Sequence, residues 1–211
     1  MGSPIFVIGL TGGIGSGKTA ALKKFAGFGA WTIDLDQIAR KQSRPDGSAF
    51  LKIKRAFGKK VLTQKGEINR PFLADLVFSN QKMRKKLEEL THPLILQEMR
   101  RLIEKAVGLV VVDVPLLFEA GLEKEFDATL TIAASESLRI SRVARRDELS
   151  HAEIRKRISS QVLESERIRR ADIVIWNEGS FAQLNGKIRE YWRAFRLINQ
   201  NNRQEIPVWK A

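Results

Sequence analysis

Cysteine is absent from the 211-residue sequence, and histidine occurs only twice, as His92 and His151. The first absence excludes disulfides and thiolate metal sites and is compatible with any compartment. The second excludes a histidine-built metal cluster, so a hard, oxygen-ligated ion such as Mg²⁺ is the metal this chain could use. No apolar run is long enough to span a bilayer. The N-terminus has neither a charged n-region nor a cleavage site, so it does not read as a signal peptide, and a cytoplasmic location is expected. Repeats and low-complexity segments are missing as well. Acidic residues are scarce relative to basic ones: 24 Asp and Glu stand against 37 Lys and Arg, a net charge of +13. That excess points to polyanionic ligands. A site for several phosphates accounts for part of it. No nucleic-acid module is recognisable, so neither nucleic acid nor a membrane is an expected partner.

Against these absences stands one dense motif. Gly12-Gly13-Ile14-Gly15-Ser16-Gly17-Lys18-Thr19 is a complete G-x-x-x-x-G-K-[ST] phosphate loop. It follows the apolar run Ile5–Leu10, which reads as a buried strand, and precedes a helix opening at Ala20. The glycines let the backbone turn its N–H groups toward phosphate oxygens, and the helix N-terminus adds its positive dipole end. In this arrangement Lys18 would reach the β- and γ-phosphates of a nucleotide and the Thr19 hydroxyl would ligate Mg²⁺.

Further strands are expected at 30–34, 109–113, 129–133 and 172–176. Each is short, apolar and bounded by polar or turn residues, with helical segments between them. This is the pattern of βαβ units and a parallel sheet covered on both faces. The expected fold is α/β: a five-stranded parallel sheet flanked by helices, in one domain that carries the phosphate loop. Its core covers about 1–39, 108–137 and 169–198. The strongly charged stretch 40–107 reads as a helical insertion, punctuated at Ser79-Asn80-Gln81 and at Thr91-His92-Pro93. A second charged stretch, about 138–168, suits a lid. The final helix carries Phe181, Leu184, Ile188, Trp192 and Phe195 on one stripe. The polar tail from Asn199 to Ala211 is expected to fray.

Two carboxylates, Asp34 and Asp36, end the second strand, at the edge where open parallel sheets bind ligands. A phosphoryl acceptor needs a carboxylate to take its proton. Asp36 could equally cap the helix that follows. Asp113 closes the third strand in the manner of a Walker B acid, which holds the Mg²⁺ shell directly or through water. Arg142 and Arg146, four residues apart, share a helix face. They can converge on a transferring phosphoryl group or form part of a solvated basic surface with Arg139 and Arg145. The loop Pro115–Glu119 can be packing or a pocket wall. A lone His92 is more often structural than catalytic.

In order along the chain, Gly9–Thr19, Ile33–Asp36 with Ile38-Ala39-Arg40, Thr91–Ile95, Val114–Glu119, Arg142 with Arg146-Asp147, Arg157 with Gln161, and Ala171–Gly179 together resemble the dephospho-CoA kinase family of P-loop kinases. The resemblance runs to about residue 180. It implies transfer of the γ-phosphate of ATP, with Mg²⁺, to the ribose 3′-hydroxyl of dephospho-CoA, giving CoA and ADP at the end of coenzyme A biosynthesis. It implies that Asp36 activates the acceptor with Asp34 in support, that Lys18 is catalytic, and that Arg142 and Arg146 serve catalysis from a lid. Gly12, Gly13, Ile14, Gly15, Ser16, Gly17, Lys18, Thr19, Arg142 and Asn177 are then nucleotide-binding. Arg40, Arg70, His92, Leu116, Leu117 and Glu119 fall on the acceptor side, and Thr19 and Asp113 on the metal. A monomer or weak homo-oligomer is expected. A nucleotide kinase with another acceptor, a nucleotide switch and a nucleic-acid-dependent NTPase are the alternatives. No guanine-reading Asn-Lys-x-Asp segment supports a GTPase switch.

Overall fold

A computed structural model describes residues 5–200, and the rest of the expected frayed tail, 201–211, lies outside the described residues. Five strands form one sheet in the order β2-β3-β1-β4-β5. They are β1 (Phe6–Thr11), β2 (Trp31–Asp34), β3 (Leu109–Asp113), β4 (Ala128–Ala133) and β5 (Ile173–Trp176). β1 pairs in parallel with β3 and β4, and β4 with β5, with Gly9 opposite both Val112 and Thr129. The strands match their expected positions to within one residue at each end. β1, β3 and β4 are buried along their whole length. This is why they read as continuous apolar runs rather than as alternating ones.

The helix α1 (Lys18–Gly27) follows the phosphate loop, and α9 (Phe181–Gln200) closes the described chain. Both cover one face of the sheet. Phe25, Leu184, Ile188 and Phe195 pack with Phe6, Ile8, Leu10 and Ile132 into the main core. The Phe6 and Phe195 rings stack at 6.0 Å between centroids. Two details of the last helix depart from expectation. Phe181 is exposed rather than on the buried stripe, and its ring receives the Lys24 ammonium at 4.9 Å. Asn199 and Gln200 are helical rather than frayed.

The chain clusters into two compact units, one made of residues 1–33 and 106–211, the other Asp34–Lys105. The second is helical: α2 (Leu35–Gln42), α3 (Phe50–Phe57), α4 (Arg70–Ser79) and α5 (Gln81–Ile103). Its own core gathers Ala49, Phe50, Ile53, Val61, Ile68 and Leu73. α4 and α5 start on side-chain caps: Asn69 accepts from Phe72 N at 3.2 Å and Asn80 from Met83 N at 3.1 Å. Asn80 is therefore the expected break. Thr91-His92-Pro93 is not one, because α5 runs through it. Pro93 lacks the N–H that would reach the carbonyl four residues back, and its ring crowds that carbonyl. Packing of Leu87 and Leu94 against the core on either side keeps the helix continuous.

In the first unit, the charged stretch after β4 forms α6 (Glu136–Asp147), α7 (His151–Ser159) and α8 (Glu164–Arg170). Ile140, Val143 and Ile154 bury a small core between α6 and α7. Ser150 and Glu153 form a capping box that starts α7.

Candidate active site

The phosphate loop joins β1 to α1. Gly17, at the N-cap of α1, has φ 99°, a left-handed conformation that favours glycine. A Cβ there would also collide with the Asn177 side chain. α1 has no side-chain cap and no acidic residue in its first turn. Its orphan N–H groups thus remain available to an anion, and the dipole favours one. A cavity of 380 Å³ opens on the loop, lined also by Pro115, Arg142, Arg146 and Gln161. Lys18 Nζ pairs with the Asp113 carboxylate, both side chains being largely buried. This joins the motif's lysine to the acid at the end of β3. An anion placed at Lys18 would compete with that carboxylate.

The other expected residues of this unit divide by what they touch. Arg142 donates to the Asn177 carbonyl at 3.0 Å, and its Nη1 is buried with no hydrogen-bond partner among the described residues. Arg146 forms a two-pronged pair with Asp147, which raises the arginine's pKa and lowers that of the aspartate. The Asn177 side chain donates to Ser16 O at 2.7 Å. Asn177 is therefore a buried prop behind the loop rather than an open nucleotide contact. Leu117 is fully buried and packs over Gly9, so it is a core residue and not a pocket wall. Leu116 is exposed. Glu119 accepts from Val162 N at 2.9 Å, so its carboxylate fixes the connection between α7 and α8.

In the unit 34–105, Asp34 rather than Asp36 is the N-cap of α2. Its two oxygens accept from Gln37 N and Gln37 Nε2, each at 3.0 Å. Asp34 thus caps the helix start, which corrects the capping alternative for Asp36. Asp36 lies in the first turn of α2, exposed, and no hydrogen bond or ion pair among the described residues holds it. A 340 Å³ cavity here is lined by apolar side chains, Ile53, Leu73, Leu87 and Ile95 among them, with Arg70 at its wall. Arg70 donates to Arg40 O at 2.8 Å. Burial first, then the charges of Arg40 and Arg44, lower its pKa from the ordinary arginine value. Three guanidinium groups sharing one region make it receptive to an anion. His92 is partly buried on α5 and makes no hydrogen bond among the described residues.

For a metal, no cluster of three or more His, Cys, Asp or Glu side chains occurs among the described residues. Mg²⁺ does not need one. It usually keeps several waters and takes one or two protein oxygens plus substrate phosphates. Thr19, at the cavity wall, and the Asp113 carboxylate are oxygens of that kind.

Several site residues were invisible to pattern reading. Arg167 is fully buried and Arg139 is 4% exposed. Both engage Glu164, Arg139 at 3.5 Å, and Arg167 also faces Glu119 at 3.7 Å. A Cβ on Gly13 would strike the Arg139 guanidinium, so this ionic cluster lies directly behind the loop. The spacing of Glu164 and Arg167 on one helix turn was the only available signal.

The family profile described as dephospho-CoA kinase matches residues 6–183. The dephospho-CoA kinase of Shewanella oneidensis is 38% identical over 198 residues, covering 93% of this chain and 97% of that protein. A crystal structure from Thermus thermophilus superposes with a TM-score of 0.81 at 32% identity, covering 90% of this chain and 98% of that one. The dephospho-CoA kinase structure from Campylobacter jejuni does so with a TM-score of 0.67 at 28% identity, covering 92% and 99%. A match of this extent, on a parallel sheet of this order carrying an intact phosphate loop, leaves one assignment: the chain belongs to the dephospho-CoA kinase family.

Proposed function

We propose that the chain carries out its family's reaction by moving the γ-phosphate of ATP to the ribose 3′-hydroxyl of dephospho-CoA, giving CoA and ADP. The observation that carries the donor half is the loop cavity, where Lys18, Arg142 and Arg146 line one wall with uncapped helix N–H groups. Phosphoryl transfer asks the protein mainly for positioning and charge stabilisation. Lys18 exchanges Asp113 for the outer phosphates. Arg142 and Arg146, on the lid of residues 138–168, neutralise charge that spreads over the transferring group. Thr19 and Asp113 are the residues that would hold Mg²⁺, which would supply positive charge to offset that of the phosphates.

Asp36 is the acceptor-activating carboxylate. It has no structural duty that competes, since Asp34 caps the helix. It takes the proton of the attacking hydroxyl as the new bond to phosphorus forms. Arg40 and Arg70 attract the acceptor's anionic groups, and the apolar cavity beside Arg70 suits a long, partly apolar arm. His92 and Leu116 border the acceptor.

The test is ADP release with dephospho-CoA, AMP, CMP, adenosine or no acceptor. Dephospho-CoA should give by far the highest kcat/KM, because binding energy from its remote parts serves the chemical step. CoA, already phosphorylated, should only inhibit. A higher kcat/KM for a mononucleotide would leave the kinase chemistry standing and remove this acceptor.

A further inference from the structure

We infer that Gln161 positions the nucleotide phosphates. Its Oε1 fixes the phosphate loop, and its Nε2 donates to a phosphate oxygen of the bound nucleotide. The inference rests on the reading of the loop as the ATP site.

Gln161 Oε1 accepts from Ile14 N, inside the loop, at 3.0 Å. That contact sets the orientation of the carboxamide, because a backbone N–H requires the oxygen and not the nitrogen to face it. The two Nε2 donors are then directed elsewhere, and they meet no acceptor among the described residues. Gln161 lines the loop cavity together with Gly13, Lys18, Arg142 and Arg146. A pair of free donors in a cavity otherwise furnished with cations and backbone N–H groups has one natural partner, an anionic oxygen.

The side chain is not a loose surface amide. Gln161 N donates to Ile158 O at 3.1 Å. The next residue, Val162, is held at both backbone polar groups: its N–H by Glu119 at 2.9 Å and its carbonyl by Arg167 at 3.2 Å. Arg167 is itself fully buried, with Glu164 and Glu119 balancing its charge. The buried ionic cluster therefore fixes the segment that presents Gln161 to the loop. Simple bracing of Ile14 needs only one acceptor oxygen. The carboxamide supplies that oxygen and leaves uncharged donors facing the phosphates.

The comparison of Gln161→Ala with Gln161→Glu separates the two roles. Glutamate keeps the acceptor for Ile14 N and replaces the donors by a negative oxygen. ATP binding with Mg²⁺ is measured by calorimetry, kcat and KM with dephospho-CoA, and folding by thermal melting. Gln161→Ala should weaken ATP binding about tenfold, the usual scale for one hydrogen bond to a charged group. Gln161→Glu should melt no lower than Gln161→Ala yet bind ATP more weakly still. Its deficit relative to wild type should shrink as falling pH protonates the new carboxyl and restores a donor. If Gln161→Glu binds ATP as well as or better than Gln161→Ala, the residue only braces the loop and the proposal fails. Wild-type affinity in Gln161→Ala overturns it too. A wild-type protein that bound no ATP would remove the donor-site reading itself, before any variant was compared.

Discussion

The phosphate-loop region and the 34–105 unit are held by different kinds of contact. Around the loop, the polar side chains reach far along the sequence: Lys18 to Asp113, Gln161 to Ile14, Asn177 to Ser16, Glu119 to Val162. In the helical unit, polar contacts are mostly within one turn, as at Asp34–Gln37, Asn69–Phe72 and Asn80–Met83, and apolar burial does the rest. On the proposed reading, the difference follows from the ligand groups. A phosphate chain has a fixed shape and charge, so its cradle must be rigid, and long-range hydrogen bonds supply that. A region proposed to take a long acceptor needs apolar walls and a few cations, with a carboxylate free to accept a proton.

The sharpest way to break this contrast is Asp36→Asn. The exchange is nearly isosteric and the cap belongs to Asp34, so the melting temperature should not move. Turnover should fall by about 10²–10⁴-fold, the range for loss of a general base, with ATP affinity little changed. A drop in stability instead would show that Asp36 has a structural duty after all.

Lys18→Ala probes the opposite region. Turnover should fall by about 10²–10³-fold, by analogy with loss of other preorganised electrostatic groups. Here stability should fall as well, because the largely buried Lys18–Asp113 pair is broken. Steady-state kinetics and a melting curve together check this. A purely kinetic effect would mean that Lys18 and Asp113 are not coupled in the unliganded protein.

The smallest effect is expected for Asp34→Ala. Loss of an N-cap typically costs about 0.5–2 kcal/mol. Denaturant titration should show that loss for Asp34→Ala and almost none for Asp36→Ala. Equal losses would cancel the division of labour between the two carboxylates.

Much of the fold was legible because its signals are local. Buried parallel strands are short apolar runs, and the phosphate loop is a contiguous motif whose glycines, lysine and threonine act within one turn of chain. What misled sequence reading was non-local. Pro93 looked like a helix end because proline removes one donor, yet packing on both sides of it holds α5 together. Leu117 looked like a pocket wall, but the loop turns it inward over Gly9. A run of arginines on α6 gave no sign that Arg139 is buried against Glu164 while Arg145 is exposed.

The sequence by itself determined the α/β class, the strand positions and the phosphate loop, since each depends on residues adjacent along the chain, and the family, since its motifs follow one another in a fixed order. Only the tertiary structure decided which aspartate caps α2, what Lys18 meets, and that Gln161, 147 positions from Ile14, closes on the loop. Those outcomes depend on which side chains share a small buried volume. Composition and spacing do not encode that, because burial and hydrogen-bond satisfaction are settled only when distant segments pack together.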